Sequence, residues 1–313
     1  MKNKLEEVVW LGRIVEEIDL FPYLSMRLHT KARYFFEAKT ADDLEHVFTV
    51  CKANKLPLFF LAGGSNLIFK NTAVDGMVVK NSYSGIKVAS EGSEYITLSV
   101  ASGTPMSLLI GEAIEAGSEG LSYHKGLPGS VGGAIYMNSK WTKPPSSVGD
   151  FLSKASLIDV DGNQKKVDQS YFQFSQGYSI LQKTHEILID ATFKLKKGDT
   201  KKATEQATFA FSHRQQTQPT GVATCGCFFR NISEKEQKDH DLPTKSAGYL
   251  IDQCGLKGYA IGGFAVSDTH ANFIINTGKG DARPEDLLRL VEDIKLKVNK
   301  QFGIILKEEV EIK

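Results

Sequence analysis

The stretch Gly126-Leu127-Pro128-Gly129-Ser130-Val131-Gly132-Gly133-Ala134-Ile135-Tyr136-Met137-Asn138 places four glycines and a proline within eight residues, then turns apolar. Glycine admits positive φ and lets another molecule approach the main chain closely. Pro128 presets the turn, and Ser130 adds a hydroxyl. Successive free N–H groups in such a loop make a concave donor array suited to phosphate. A tight loop packed on its own domain has the same composition, so the run alone is ambiguous. A second loop of the same chemistry, Ala62-Gly63-Gly64-Ser65-Asn66-Leu67, lies far upstream. Two phosphate-competent loops point to a long ligand with a diphosphate, such as a dinucleotide.

With 313 residues the chain can form two or three domains with a sizeable core. A net charge of +1, from 38 basic and 37 acidic residues, gives no general attraction to nucleic acid. No apolar run approaches the roughly 18 residues of a membrane span. Glu6 and Glu7 interrupt the first apolar residues, so no export signal is read there. The four cysteines Cys51, Cys225, Cys227 and Cys254 form no framework pattern, which suggests reduced thiols in the cytoplasm.

Along the chain, Ala32–Phe36 reads as a strand, and Thr40 caps a helix with Leu44, Val47, Phe48 and Cys51 at helical spacing. The apolar run Leu58–Ala62 is a buried strand feeding the first glycine loop, and Leu67–Phe69 is another short strand. From Asp75-Gly76 the texture changes to short strands at Met77–Lys80, Ile86–Val88 and Tyr95–Val100, then a helix over Ser107–Ala116. Trp141–Asp150 reads as an irregular loop, Asp161-Gly162 as a hairpin turn, and Glu186–Leu195 as a long strand. The charged stretch Lys196–Lys202 marks the domain break, giving domains 1–198 (two subdomains, break near 75) and 199–313. Beyond it the pattern predicts a helix to about Arg214, a solvated polar loop over Ser233–Asp241, and a helix Ser246–Gln253 ended by Gly255. A helix Asp286–Lys300 and a closing strand Ile304–Ile312 complete the chain.

Three places carry candidate chemistry. The Cys-x-Cys pair in Thr224-Cys225-Gly226-Cys227-Phe228-Phe229-Arg230-Asn231 has no second pair at zinc-ligand spacing, so no metal is assigned. Two buried thiols are one reading; a Gly226 turn presenting Cys227 as a proton donor is the other, since a thiol of pKa near ~8.5 is mostly protonated at neutral pH. Glu309 lies in a strand whose alternation puts Lys307, Glu309 and Glu311 on one face and Leu306, Val310 and Ile312 on the other, either as a solvated edge or as a catalytic carboxylate. His270, before an apolar run, reads as structural.

Taken together, the two glycine loops, the Gly-Cys-Phe-Phe-Arg-Asn turn and the ending Leu306-Lys307-Glu308-Glu309-Val310 resemble the UDP-N-acetylenolpyruvoylglucosamine reductase family. The resemblance runs from about Leu24 to Ile312. Its most specific part is Ser246–Gly258, followed by Gly262-Gly263 and His270-Ala271-Asn272. It implies an α+β fold: a two-subdomain FAD-binding domain of the p-cresol methylhydroxylase/vanillyl-alcohol-oxidase type, plus a smaller C-terminal α+β substrate domain. FAD is then held near Gly63, Gly64, Ser65, Asn66, Pro128, Gly129, Ser130, Gly133 and Ala134. NADPH would reduce the flavin, whose hydride would pass to the enolpyruvyl C3 of a UDP-sugar in peptidoglycan synthesis. Cys227 stands where the family has a serine acid, and Glu309 matches its carboxylate. Arg214, Gln218 and Asn231 match substrate-binding positions. A cytoplasmic monomer is implied.

Two departures accompany the likeness. Aligning Phe174-Ser175-Gln176-Gly177-Tyr178-Ser179 on the family's Phe-x-Tyr-Arg-x-Ser puts Gly177 where a catalytic arginine belongs, with Lys125 or Lys140 as substitute cations. His29-Thr30-Lys31 replaces a usual glycine pair. Gly177 leaves two alternatives open: a different reaction on the same scaffold, or a flavin- or nucleotide-binding protein without turnover.

Overall fold

The computed structural model describes residues 13–279 and 282–313. Glu6 and Glu7 lie outside the described residues. The chain divides into two compact units, each built from separated segments. The first contains Tyr34–Gly63 and Gly76–Arg214 with the described residues up to Glu16. The second contains Glu17–Arg33, Gly64–Asp75 and the described part of Gln215–Lys313.

In the first unit the capping box of Thr40 and Asp43 starts the helix Ala41–Asn54, whose Leu44, Val47 and Cys51 are buried. It leads into the strand Leu58–Leu61, which pairs in parallel with Ala73–Asn81, Leu58 opposite Met77 and Leu61 opposite Lys80. A five-stranded antiparallel sheet follows, in the order Gln164–Asp168, Leu152–Ile158, Ile187–Lys196, Tyr95–Ala101, Ile86–Glu91. Its apolar face (Leu98, Val100, Leu157, Ala191, Phe193, Leu195) packs against the helices Met106–Glu115 and Val131–Tyr136. That face anchors one end of the glycine loop, because the loop runs directly into the second of these helices.

In the second unit a four-stranded antiparallel sheet runs Ala223–Cys227, Phe273–Asn276, Phe264–Val266, Ala260–Ile261. The helix Pro284–Phe302 buries Leu287, Leu290, Val291, Ile294 and Val298 on one stripe. Each such side chain contributes about 1.5–3 kcal/mol through burial. Gly303, at φ +69°, ends the helix in the left-handed conformation.

Three local expectations are corrected. Trp141–Asp150 is ordered: Lys140–Thr142 and Pro145–Ser147 form a small hairpin, and a capping box of Ser147 and Asp150 starts the turn after it. Ser233–Asp241 is not a loop, because Ser233 and Glu236 form a reciprocal cap on the helix Glu234–Asp239. The closing strand shrinks to Glu311–Ile312, paired in parallel with Leu67–Ile68. Before it, single bonds to the Phe228–Arg230 turn replace a continuous ladder.

Candidate functional site

In the first unit the two glycine stretches meet. A Cβ placed on Gly63 would lie 2.4 Å from the Gly129 Cα, so the two backbones touch where no side chain fits. Beside this contact is a cavity of about 200 Å³ lined by Ala62, Gly63, Lys80, Asn81, Gly103, Pro105, Gly129 and Ser130. The loop is held by Met106 N–H donating to Gly129 O (3.0 Å) and Val131 N–H donating to Thr104 O (2.9 Å). Pro128 is exposed and Ser130 buried.

The donor array expected of the glycine run is largely used within the protein. Gly132 N–H donates to Ser102 O at 2.7 Å, Ala134 N–H to Ser130 O at 2.9 Å, and Gly133 N–H to the Ser130 hydroxyl at 3.5 Å. The short helix Val131–Tyr136 claims these groups, because its apolar residues lock onto the sheet. What remains is a glycine-walled cavity with one ammonium on its wall, which suits a diphosphate. The residues present therefore fit FAD. Sequence reasoning did not single out Lys80, Asn81, Gly103 and Pro105; the signal for Lys80 was a charged residue closing the apolar run Met77-Val78-Val79.

Also in the first unit, the Arg214 guanidinium carbon lies 5.2 Å from the centroid of the Trp141 ring. Gly177 sits at the tip of a tight turn in which Ser175 and Tyr178 exchange N–H···O bonds of 3.2 Å. Its φ is +67° and nothing lies within 4 Å of a Cβ built there. Lys125 and Lys140 are both half-buried.

The second unit holds the acid–base candidates. The strand Ala223–Cys227 breaks register between Thr224 and Cys227, where Gly226 takes φ +79°. The irregularity separates two thiols that a regular strand would point the same way. Cys225 is buried with its Sγ 4.0 Å from Leu67 O, and burial pushes its thiol up to about 12. Cys227 is only half-buried. Glu309 N–H donates to Phe228 O at 2.8 Å, which pairs its backbone with the residue next to Cys227. The neighbouring acids are committed elsewhere, Glu308 to Lys295 at 3.0 Å and Glu311 to Lys313 at 3.1 Å.

Two polar side chains hold this arrangement. Asn272 brackets Phe229, its Oδ1 accepting the Phe229 N–H at 2.9 Å and its Nδ2 donating to Phe229 O at 2.8 Å. His270 is structural, since its Nδ1 accepts the Asn272 N–H at 3.2 Å. Asn66 Nδ2 donates to Glu309 O at 3.2 Å, and Asn66 O accepts from Glu311 N–H at 3.0 Å. Gly64 takes φ +62°, and a Cβ there would lie 2.1 Å from Tyr23 O, so the position needs glycine on both counts. Ser65 and Gln218 are half-buried. Asn231 is exposed, and its Oδ1 accepts from Ala247 N–H at 3.1 Å, anchoring the helix Ala247–Gln253. Of the residues expected at the site, Gly63, Gly129 and Ser130 line one cavity in the first unit, and Asn66, Cys227 and Glu309 gather around one turn in the second.

Comparison with known proteins adds likenesses over both halves of the chain. Residues 32–168 match the family described as FAD binding domain. Residues 218–313 match the one described as UDP-N-acetylenolpyruvoylglucosamine reductase, C-terminal domain. The reductase of that name from Chlamydia muridarum is 34% identical over 299 residues, covering 96% of this chain and 94% of that protein. The one from Bacillus pumilus is 31% identical over 313 residues, covering 100% and 97%. The crystal structure of the Thermus caldophilus reductase superposes with a TM-score of 0.73 at 26% identity, covering 96% of this chain and 97% of that one.

Proposed function

This chain belongs to the UDP-N-acetylenolpyruvoylglucosamine reductase family, and from that membership we propose how its own residues carry out the family's reaction. It is an FAD-dependent oxidoreductase of peptidoglycan synthesis that reduces UDP-N-acetylglucosamine enolpyruvate to UDP-N-acetylmuramate. When bound and reduced by NADPH, FAD would supply hydride chemistry at C3 of the enolpyruvyl group.

Gly63, Gly129 and Ser130 would hold the cofactor's diphosphate in the cavity they line. The Cys227 thiol delivers a proton to C2, completing reduction of the double bond to a lactyl ether. Glu309, as a carboxylic acid, would donate a hydrogen bond to the enol-like intermediate and stabilise the negative charge on it. Arg214, Gln218 and Asn231 bind the UDP-sugar. The Asn272 bracket and the Asn66–Glu309 bond keep acid and carboxylate in register. Among the described residues no helix is long and apolar enough to cross a membrane. The protein acts as a monomer in the cytoplasm.

The observation that supports this assignment of roles is the 2.8 Å bond from Glu309 N–H to Phe228 O, which pairs the backbone of the proposed carboxylate with that of the residue after the proposed acid. The test is anaerobic absorbance of the FAD-loaded protein. NADPH should bleach the flavin band, and UDP-N-acetylglucosamine enolpyruvate, added after excess NADPH is removed, should restore it. Bleaching without return would mean that the chemistry is another one.

A further inference from the structure

Lys80 is the one charged side chain among the residues lining the first unit's cavity. It ends the buried run Met77-Val78-Val79, so the strand carries its ammonium to the cavity wall. Its Nζ donates to the Ala62 carbonyl, one residue before Gly63. The carboxylate that influences it, Glu37, is already engaged: Glu37 accepts from Ser82 Oγ at 2.7 Å and pairs with Lys39 at 3.4 Å. Burial holds the Lys80 ammonium below its usual range, with Glu37 opposing. A desolvated cation held by a neutral carbonyl is costly unless an anion joins it. The facing groups, Gly63, Gly129 and Ser130, supply no anion.

We propose that Lys80 is the counter-ion of the cofactor's diphosphate, fixing it in the cavity between the two glycine stretches. This rests on the FAD assignment above. A diphosphate there gives Lys80 the anionic partner that its protein environment withholds, and Lys80 gives the cavity a positive charge that glycines cannot. Lys80 is thus a binding residue for the cofactor and takes no proton in the reaction.

The experiment compares flavins with and without phosphate. The full chain is freed of flavin, and binding of FAD and of riboflavin is followed by flavin fluorescence. Lys80→Met should weaken FAD at least 10-fold, leave riboflavin within twofold, and flatten the salt dependence of FAD binding. Lys80→Arg should recover most of the loss, which also guards against a folding defect in the methionine variant. Equal weakening of both flavins, or unchanged FAD binding, would overturn the proposal, because a residue that merely props the Ala62 carbonyl serves both flavins alike. Loss of UDP-N-acetylglucosamine binding with FAD binding intact would overturn it too, by moving the cation to a different diphosphate. A wild-type chain that binds no FAD would instead bring down the cofactor assignment and, with it, this inference.

Discussion

Asn272 closes both backbone groups of Phe229, accepting from its N–H at 2.9 Å and donating to its carbonyl at 2.8 Å. The asparagine is buried, and its own carbonyl accepts the Phe228 N–H at 2.7 Å. Three bonds from one residue therefore shape the turn that follows Cys227 and receives Glu309. Asn272→Ala strands a buried N–H and C=O, at about 1–3 kcal/mol each. Urea unfolding should show a loss of about 2–6 kcal/mol, and flavin reoxidation by substrate should slow more than flavin reduction by NADPH. A variant as stable as wild type would mean that the bracket contributes nothing.

Cys227 gives a sharper kinetic separation. General acid catalysis contributes about 10²–10⁴-fold. Cys227→Ala should therefore slow reoxidation by the enolpyruvyl substrate by about that factor and leave reduction by NADPH unchanged, in stopped-flow traces of the two half-reactions. Cys227→Ser should keep most of the rate. A fully active alanine variant would remove the thiol from the mechanism.

What could be read from the chain differs from place to place for physical reasons. Thr40, Ser246 and Gly255 announced their helix ends because a cap is a local bond between near neighbours. Ser233-x-x-Glu236 carried the same signal and was overridden by the polarity of its surroundings. The hairpin at Lys140–Ser147 lacks alternating apolar residues, so its strands left no periodic trace. At the site, Cys227 and Glu309 were legible as residue types in a recognisable order. The bond between their neighbourhoods was not, because Phe228 and Glu309 lie far apart in sequence. Lys80 stayed hidden because only the folded loops show that its strand ends at a cavity.

Gly177 tests what a side chain costs where the family pattern has arginine. Its φ of +67° belongs to the left-handed region, which L side chains enter at roughly 1–2 kcal/mol. The space around it is open, so bulk should add little. Gly177→Ala and Gly177→Arg should therefore lose similar stability, about 1 kcal/mol each, in thermal or urea unfolding. A loss of several kcal/mol confined to arginine would show that the turn is enclosed.

His124 should give the protein a pH-dependent weakness. It is fully buried in the first unit, with its Nε2 3.3 Å from the Ser146 hydroxyl. Burial, helped by the positive charge of Arg214, pushes its imidazole down to about 4. In the unfolded chain a histidine titrates near ~6.5. Between these values the unfolded state binds a proton that the folded state refuses, so stability falls as pH drops from about 6.5 to about 4 and is unaffected by this group above that range. The shift corresponds to about 3 kcal/mol at its acid limit. Other groups titrate in the same window, so the comparison must be with a variant. His124→Leu, which cannot take the proton, should lose about 3 kcal/mol less than wild type between pH 7 and pH 4 in urea unfolding. Parallel pH profiles for the two proteins would mean that His124 accepts its proton in the folded state, through a partner that burial alone does not provide.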